Sequence, residues 1–102
     1  MTLQFLLDEA SPRAVSIIEK KLNNLGRKYD WIILAEVFLR AEPSSEGKGK
    51  ICEIRLSVPG PVLFASSNEP SYEIAASETI RDLERQLKYR KEKWEPQNYS
   101  NN

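Results

Sequence analysis

The sequence predicts an α+β fold, a two-layer sandwich with element order β-α-β-β-β-α, and three observations predict it. A short apolar run, Leu3–Leu7, precedes a stripe of apolar residues at helical spacing. Two longer runs rich in β-branched and aromatic residues then lead, through Pro59-Gly60-Pro61, into a third. Last comes a second long stretch of helical periodicity. Four strands would form one mixed sheet with both helices packed on one face.

Leu3–Leu7 reads as a buried strand ending at Asp8-Glu9. Ser11 and Pro12 make a helix start, with Ser as N-cap and Pro at the first helical position. Ala14, Val15, Ile18, Leu22 and Leu25 recur at helical spacing, and Gly26 marks the end as C-cap or terminator. Trp31–Arg40 is the second strand, with Trp31, Ile33, Ala35, Val37 and Leu39 on one side. Ala41–Gly49 is a mobile loop by its Pro, Ser and Gly content. Ile51–Val58 alternates Cys52, Ile54, Leu56 and Val58 with its other residues, and Val62–Ser66 returns after the proline turn. Asn68–Ser71 opens a helix running to about Lys93, on which Tyr72, Ala76, Ile80, Leu83 and Leu87 fall within about 80° of one another. Residues 1–94 form a single domain, and 95–102 a disordered tail without apolar pattern. The first strand-helix-strand crossover makes its two strands parallel.

At 102 residues, 40% of them hydrophobic, the chain can bury roughly 60–65% of its unfolded surface in one modest core. No apolar run approaches the ~18–20 residues of a membrane span, and the first residues lack the pattern of a secretory signal. The lone Cys52 cannot close an intrachain disulfide, which places the chain in a reducing cytoplasm. Without histidine there is no ordinary general base and no common metal ligand. Asp8, Glu9, Glu42 and Glu46 show no pairing suited to acid–base chemistry, and neither a phosphate-cradling glycine loop nor metal-ligand spacing occurs. The sequence argues against an enzyme, a cofactor, a metal or a small-molecule substrate.

Fifteen bases balance fifteen acids, but unevenly. Segment 13–28 sets Arg13, Lys20, Lys21, Arg27 and Lys28 against Glu19; segment 81–93 sets six bases against Asp82, Glu84 and Glu92. Patches within a Debye length, ~8–10 Å, govern what a partner feels, so the zero total excludes nothing. On helical wheels the first five cations span about 120° opposite the core stripe, and Arg81, Arg85 and Lys88 share about 60° on the outer side of the second helix. Two basic ridges side by side suit an RNA backbone, because repeated phosphates need repeated cationic donors. Lysine- and arginine-rich helix faces also arise for solubility alone, and composition by itself favours that reading slightly. Cys52, Trp31 and Tyr72 fit core positions, Trp94 caps the hydrophobic layer or lies exposed, and Ile17 falls inside the basic arc as an exposed apolar contact.

Val58-Pro59-Gly60, Val62–Ser66, Tyr72 and Asp82-Leu83-Glu84-Arg85-Gln86-Leu87 together resemble the ribosome hibernation promoting factor family, also called ribosome-associated inhibitor A or sigma-54 modulation protein. Ser11-Pro12, the Glu19–Leu25 helix and Tyr29-Asp30-Trp31-Ile32-Ile33 extend the resemblance over about residues 3–94. It implies the same element order, in a fold like the double-stranded-RNA-binding domain. It also implies binding to the small ribosomal subunit and its rRNA where messenger and transfer RNA would sit, silencing translation in stress or stationary phase. Arg85, Lys88, Lys21 and Arg27 match basic positions that in the family face rRNA; Lys20, Lys28, Arg81 and Lys91 complete the expected RNA-binding set. Asp82 and Asn24 stand where the family carries bases, with Arg81 as a substitute for the first, and the first strand-to-helix connection is about two residues shorter. The chain's end and its non-acidic tail point to a short form, monomeric off the ribosome. From a different class, the alternative is a protein-interaction module, a small dimer pairing through an exposed edge strand without RNA.

Overall fold

The computed structural model describes residues 1–7, 10–44 and 46–100. Its elements are β1 (Thr2–Leu7), α1 (Pro12–Lys28), β2 (Leu34–Ala41), β3 (Lys50–Ser57), β4 (Leu63–Glu69) and α2 (Tyr72–Ser100). The expected α+β order holds, and Asp8, Glu9 and the side chain of Trp94 lie outside the described residues. The strands form one sheet in the order β1-β2-β3-β4, parallel between β1 and β2 and antiparallel thereafter.

Period-two alternation produces the core. Leu3, Ala35, Leu56 and Leu63 lie in one row across the sheet, and Phe5, Val37, Ile54 and Ala65 in the next. All point to the helical layer, where Ala14, Ile18, Leu22 and Leu25 of α1 and Ala75, Ala76, Leu83 and Leu87 of α2 close the core. The opposite sheet face is mixed: Arg40 reaches Glu53 at 3.5 Å and Arg55 reaches Glu36 at 4.0 Å, while Leu6 and Phe64 lie exposed among them.

Several boundaries differ from the sequence reading. Ser11 does cap α1, its Oγ accepting from the Ala14 N–H at 3.1 Å, but Gly26 does not end it. The helix continues to Lys28 and closes where the Tyr29 N–H donates to the Leu25 carbonyl. Gly26 instead gives Met1 room, for a Cβ there would stand 3.0 Å from the methionine methyl. Trp31–Ile33 precede β2 rather than opening it, and the irregular backbone breaks the alternation. Ile32 is therefore buried, Ile33 is 60% exposed, and Trp31 packs edge-on against Tyr29 at 5.9 Å. Ala14 is buried as expected, but Val15 and Ile17 are both half-buried, so Val15 stands at the core's edge and Ile17 is no freely exposed contact.

The 42–49 connection is pinned at its ends, because the Glu42 N–H donates to the Gly49 carbonyl at 2.8 Å. Gly49 has φ +122°, and a Cβ would meet the Glu42 carbonyl at 2.3 Å, so glycine is required. β4 extends three residues beyond the expected Ser66, because an edge strand pairs on one side only and its outward positions accept polar residues. Asn68 holds that extension, its Oδ1 accepting from the Gly49 N–H at 2.7 Å. Helix α2 continues past Lys93 through Ser100, so residues 95–100 of the expected tail are helical; 101–102 lie outside the described residues. Lengthening an existing helix needs no new nucleus and no apolar stripe, which is why periodicity did not report it.

Candidate nucleic-acid interface

The two helices lie side by side, and where they face each other their cations form a groove rather than two ridges. One stretch is lined by Lys21, Asn24, Lys28, Ser77, Arg81 and Glu84; the next by Lys28, Arg81, Glu84, Arg85, Lys88 and Lys91, with Glu92. Six of the eight expected RNA-binding residues thus meet there: Lys21, Lys28, Arg81, Arg85, Lys88 and Lys91. Lys20 and Arg27 do not line it. Helical geometry explains the split: Lys21 and Lys28 are seven residues apart on the flank nearest α2, whereas Lys20 and Arg27 sit about 80–120° further round. Both are exposed, and Arg27 donates to Asn24 one turn earlier.

Within the groove the cations differ in how they are held. Lys28 reaches across to Glu84 at 2.5 Å, tying α1 to α2. This hydrogen bond, reinforced by the Glu84 charge, raises the Lys28 ammonium above its ordinary pKa of 10.5. Arg81 pairs with Glu78 at 3.0 Å and Arg85 with Asp82 at 3.8 Å, each three residues back on the same helix. Both guanidinium groups remain mostly exposed, and such surface pairs contribute only about 0–1 kcal/mol, so a phosphate can replace the carboxylate. Among the described residues, Lys21 and Lys88 form no ion pair. The arrangement is an exposed cationic trough with exchangeable internal counter-charges.

Sequence reasoning missed Glu84 as the cross-link, although its wheel position was a signal: it lies between the core stripe and the cationic arc, on the flank a neighbouring helix would touch. It also missed Arg90, whose guanidinium donates to the carbonyls of Pro59, at 3.3 Å, and Pro61 in the β3–β4 turn. Cys52 is fully buried, and burial pushes its thiol up to about 12, consistent with a core residue. Among the described residues no group of three His, Cys, Asp or Glu could hold a metal ion, and no helix is long and apolar enough to cross a membrane.

The family model for sigma 54 modulation protein / S30EA ribosomal protein matches residues 8–95. The chain belongs to this family. Its members are ribosome-associated factors. Solved structures share the fold. A protein of Coxiella burnetii described as a ribosomal subunit interface protein superposes with a TM-score of 0.78 at 22% identity, over 89% of this chain and 98% of that one. The N-terminal domain of Thermus thermophilus Protein Y superposes with a TM-score of 0.71 at 24% identity, over 87% of this chain and 98% of that domain. No curated protein matches the sequence.

Proposed function

We propose that this protein is a hibernation factor that binds the small ribosomal subunit through the groove between α1 and α2, and that it excludes messenger and transfer RNA by occupying their place. The observation that carries this reading is the clustering of six cations in one trough of a chain whose total charge is zero. Each phosphate that displaces a carboxylate or a counterion adds a salt-dependent increment to affinity. Inhibition by occupancy asks of the trough only that it bind. The description of the Coxiella protein as a subunit interface protein supports the site of action. Action on ribosomes places the protein in the cytoplasm, and a groove complete within one chain suits a monomer.

Sedimentation of purified protein with small subunits through sucrose gradients tests this. The wild type should cofractionate at low salt and be released at high salt. The triple substitution Arg81→Glu, Arg85→Glu, Lys88→Glu should abolish cofractionation, while its melting curve stays near wild type because exposed substitutions usually shift stability within about ±0.5 kcal/mol each. Wild-type cosedimentation by a folded triple variant would overturn the assignment of the groove.

A further inference from the structure

The other flank of α2 carries a second groove that the cationic trough does not use. It is lined by Pro59, Gly60 and Pro61 of the turn, Leu63 at the start of β4, and Gln86, Tyr89, Arg90 and Lys93 of α2. Its volume of about 630 Å³ falls in the range of small-ligand sites, about 300–1,000 Å³. The floor is apolar, Leu63 being 7% exposed, while Tyr89 beside it is 61% exposed. A tyrosine ring exposed to that degree on a helix forfeits the burial that usually accounts for an aromatic side chain.

We propose that this groove is a stacking site for one unpaired nucleobase of a single-stranded RNA segment, with Tyr89 as the platform. Lys93 holds its ammonium 5.0 Å from the Tyr89 ring centroid, so the ring and a phosphate-binding cation are already paired within one helical turn. Unstacked bases in single-stranded RNA bind on aromatic faces next to cationic side chains, which is the chemistry gathered here. The Gln86 amide donates to the Phe64 carbonyl at 3.1 Å, which leaves its Oε1 to accept from a base edge. Arg90 fixes the opposite wall by holding the carbonyls of Pro59 and Pro61. Gly60, at φ +89°, takes the left-handed conformation that shapes this turn, one that side-chain-bearing residues rarely adopt. An acidic peptide would satisfy the cations but leave the ring unused; a base with its phosphate uses both. The site deepens the RNA-binding reading above, adding recognition of an unpaired base to recognition of a backbone.

The test compares a single-stranded eight-nucleotide oligoadenylate with an abasic phosphodiester of the same length, titrated against the full chain at fixed salt. The wild type should bind the base-bearing strand about tenfold more tightly, the order expected for one stacked base. Tyr89→Leu should lose that preference while its affinity for the abasic strand stays unchanged, and Tyr89→Phe should retain it. Since Tyr89 is exposed, both variants should melt with the wild type. Equal wild-type affinity for the two strands, or an undiminished preference in Tyr89→Leu, would overturn the stacking site. The ribosome reading stands or falls separately, on gradient cosedimentation of the wild type.

Discussion

Two flanks of one helix carry cations to different ends. On the flank of α2 facing α1, Arg81 and Arg85 are mostly exposed, paired only with acids on their own helix, and aligned with Lys88 and Lys91 along an open trough. On the flank facing the β3–β4 turn, Arg90 is committed to two backbone carbonyls, and the remaining cation, Lys93, sits by an exposed tyrosine. A count of bases treats these arginines alike. Geometry separates a guanidinium that can accept a new anion from one already satisfied by main-chain oxygens. The first flank offers exposed cations to repeated phosphates, and the second, on the proposal above, offers a ring to a base.

The contrast requires α2 to stay seated, and Leu83 seats it, fully buried between the two flanks. Leu83→Ala should therefore lower stability by about 2–5 kcal/mol in urea unfolding, the usual range for a buried leucine truncated to alanine. A loss below about 0.5 kcal/mol would mean that the helix is held elsewhere. Next in size, Lys88→Ala and Lys91→Ala should each flatten the log affinity–log salt plot for small subunits by up to about one unit, one phosphate contact apiece. An unchanged slope would remove that residue from the trough. Arg90→Ala should cost about 1 kcal/mol of stability, through its lost hydrogen bonds, and leave the salt slope untouched. A changed slope would make Arg90 a phosphate contact and erase the distinction between the flanks. The smallest effect is expected of Glu84→Gln. Breaking the exposed tie to Lys28 should leave the melting curve near wild type, and removing a negative charge from the trough should tighten subunit binding slightly. Weaker binding would mean that the tie positions Lys28 for RNA.

Much of this was legible before any coordinates, and particular residues show why the rest was not. The alternations of Ala35-Val37-Leu39 and Cys52-Ile54-Leu56 reported the sheet faithfully, because a strand buried on one face must repeat every second residue. Trp31 and Ile33 carried the same alternation without the strand, since parity carries no information where the backbone leaves the pleat. Leu83 and Leu87 stood out on the second wheel, but Ala75 and Thr79, both fully buried, did not. Ala75 falls about 60° outside the arc marked by Tyr72, Ala76, Ile80, Leu83 and Leu87, and a threonine reads as polar until its partners are known. The Thr79 hydroxyl is buried at no penalty because it lies 2.8 Å from the Ala75 carbonyl and 3.1 Å from that of Cys52. Six of the eight expected cations converge in one trough and two do not; which flank each cation faced depended on where α1 settled against α2, a tertiary fact absent from either wheel.

Cys52, set in the middle of the sheet, gives the molecule a clock. The chain has one thiol, it is buried, and its pKa stands near 12 instead of the ordinary 9.0, with burial the main cause. Alkylating reagents attack the thiolate, so in the folded state at neutral pH they must wait for the sheet to open. With one cysteine per chain, each modification requires an opening, and mass spectrometry can follow it without a label. Anything that binds the closed form slows this clock by the factor its occupancy dictates, whether it settles in the trough or on the tyrosine flank. Alkali quickens it: above pH 9 the unfolded chain sheds the thiol proton while the folded one keeps it, so the native state loses ground steadily as pH climbs towards 12.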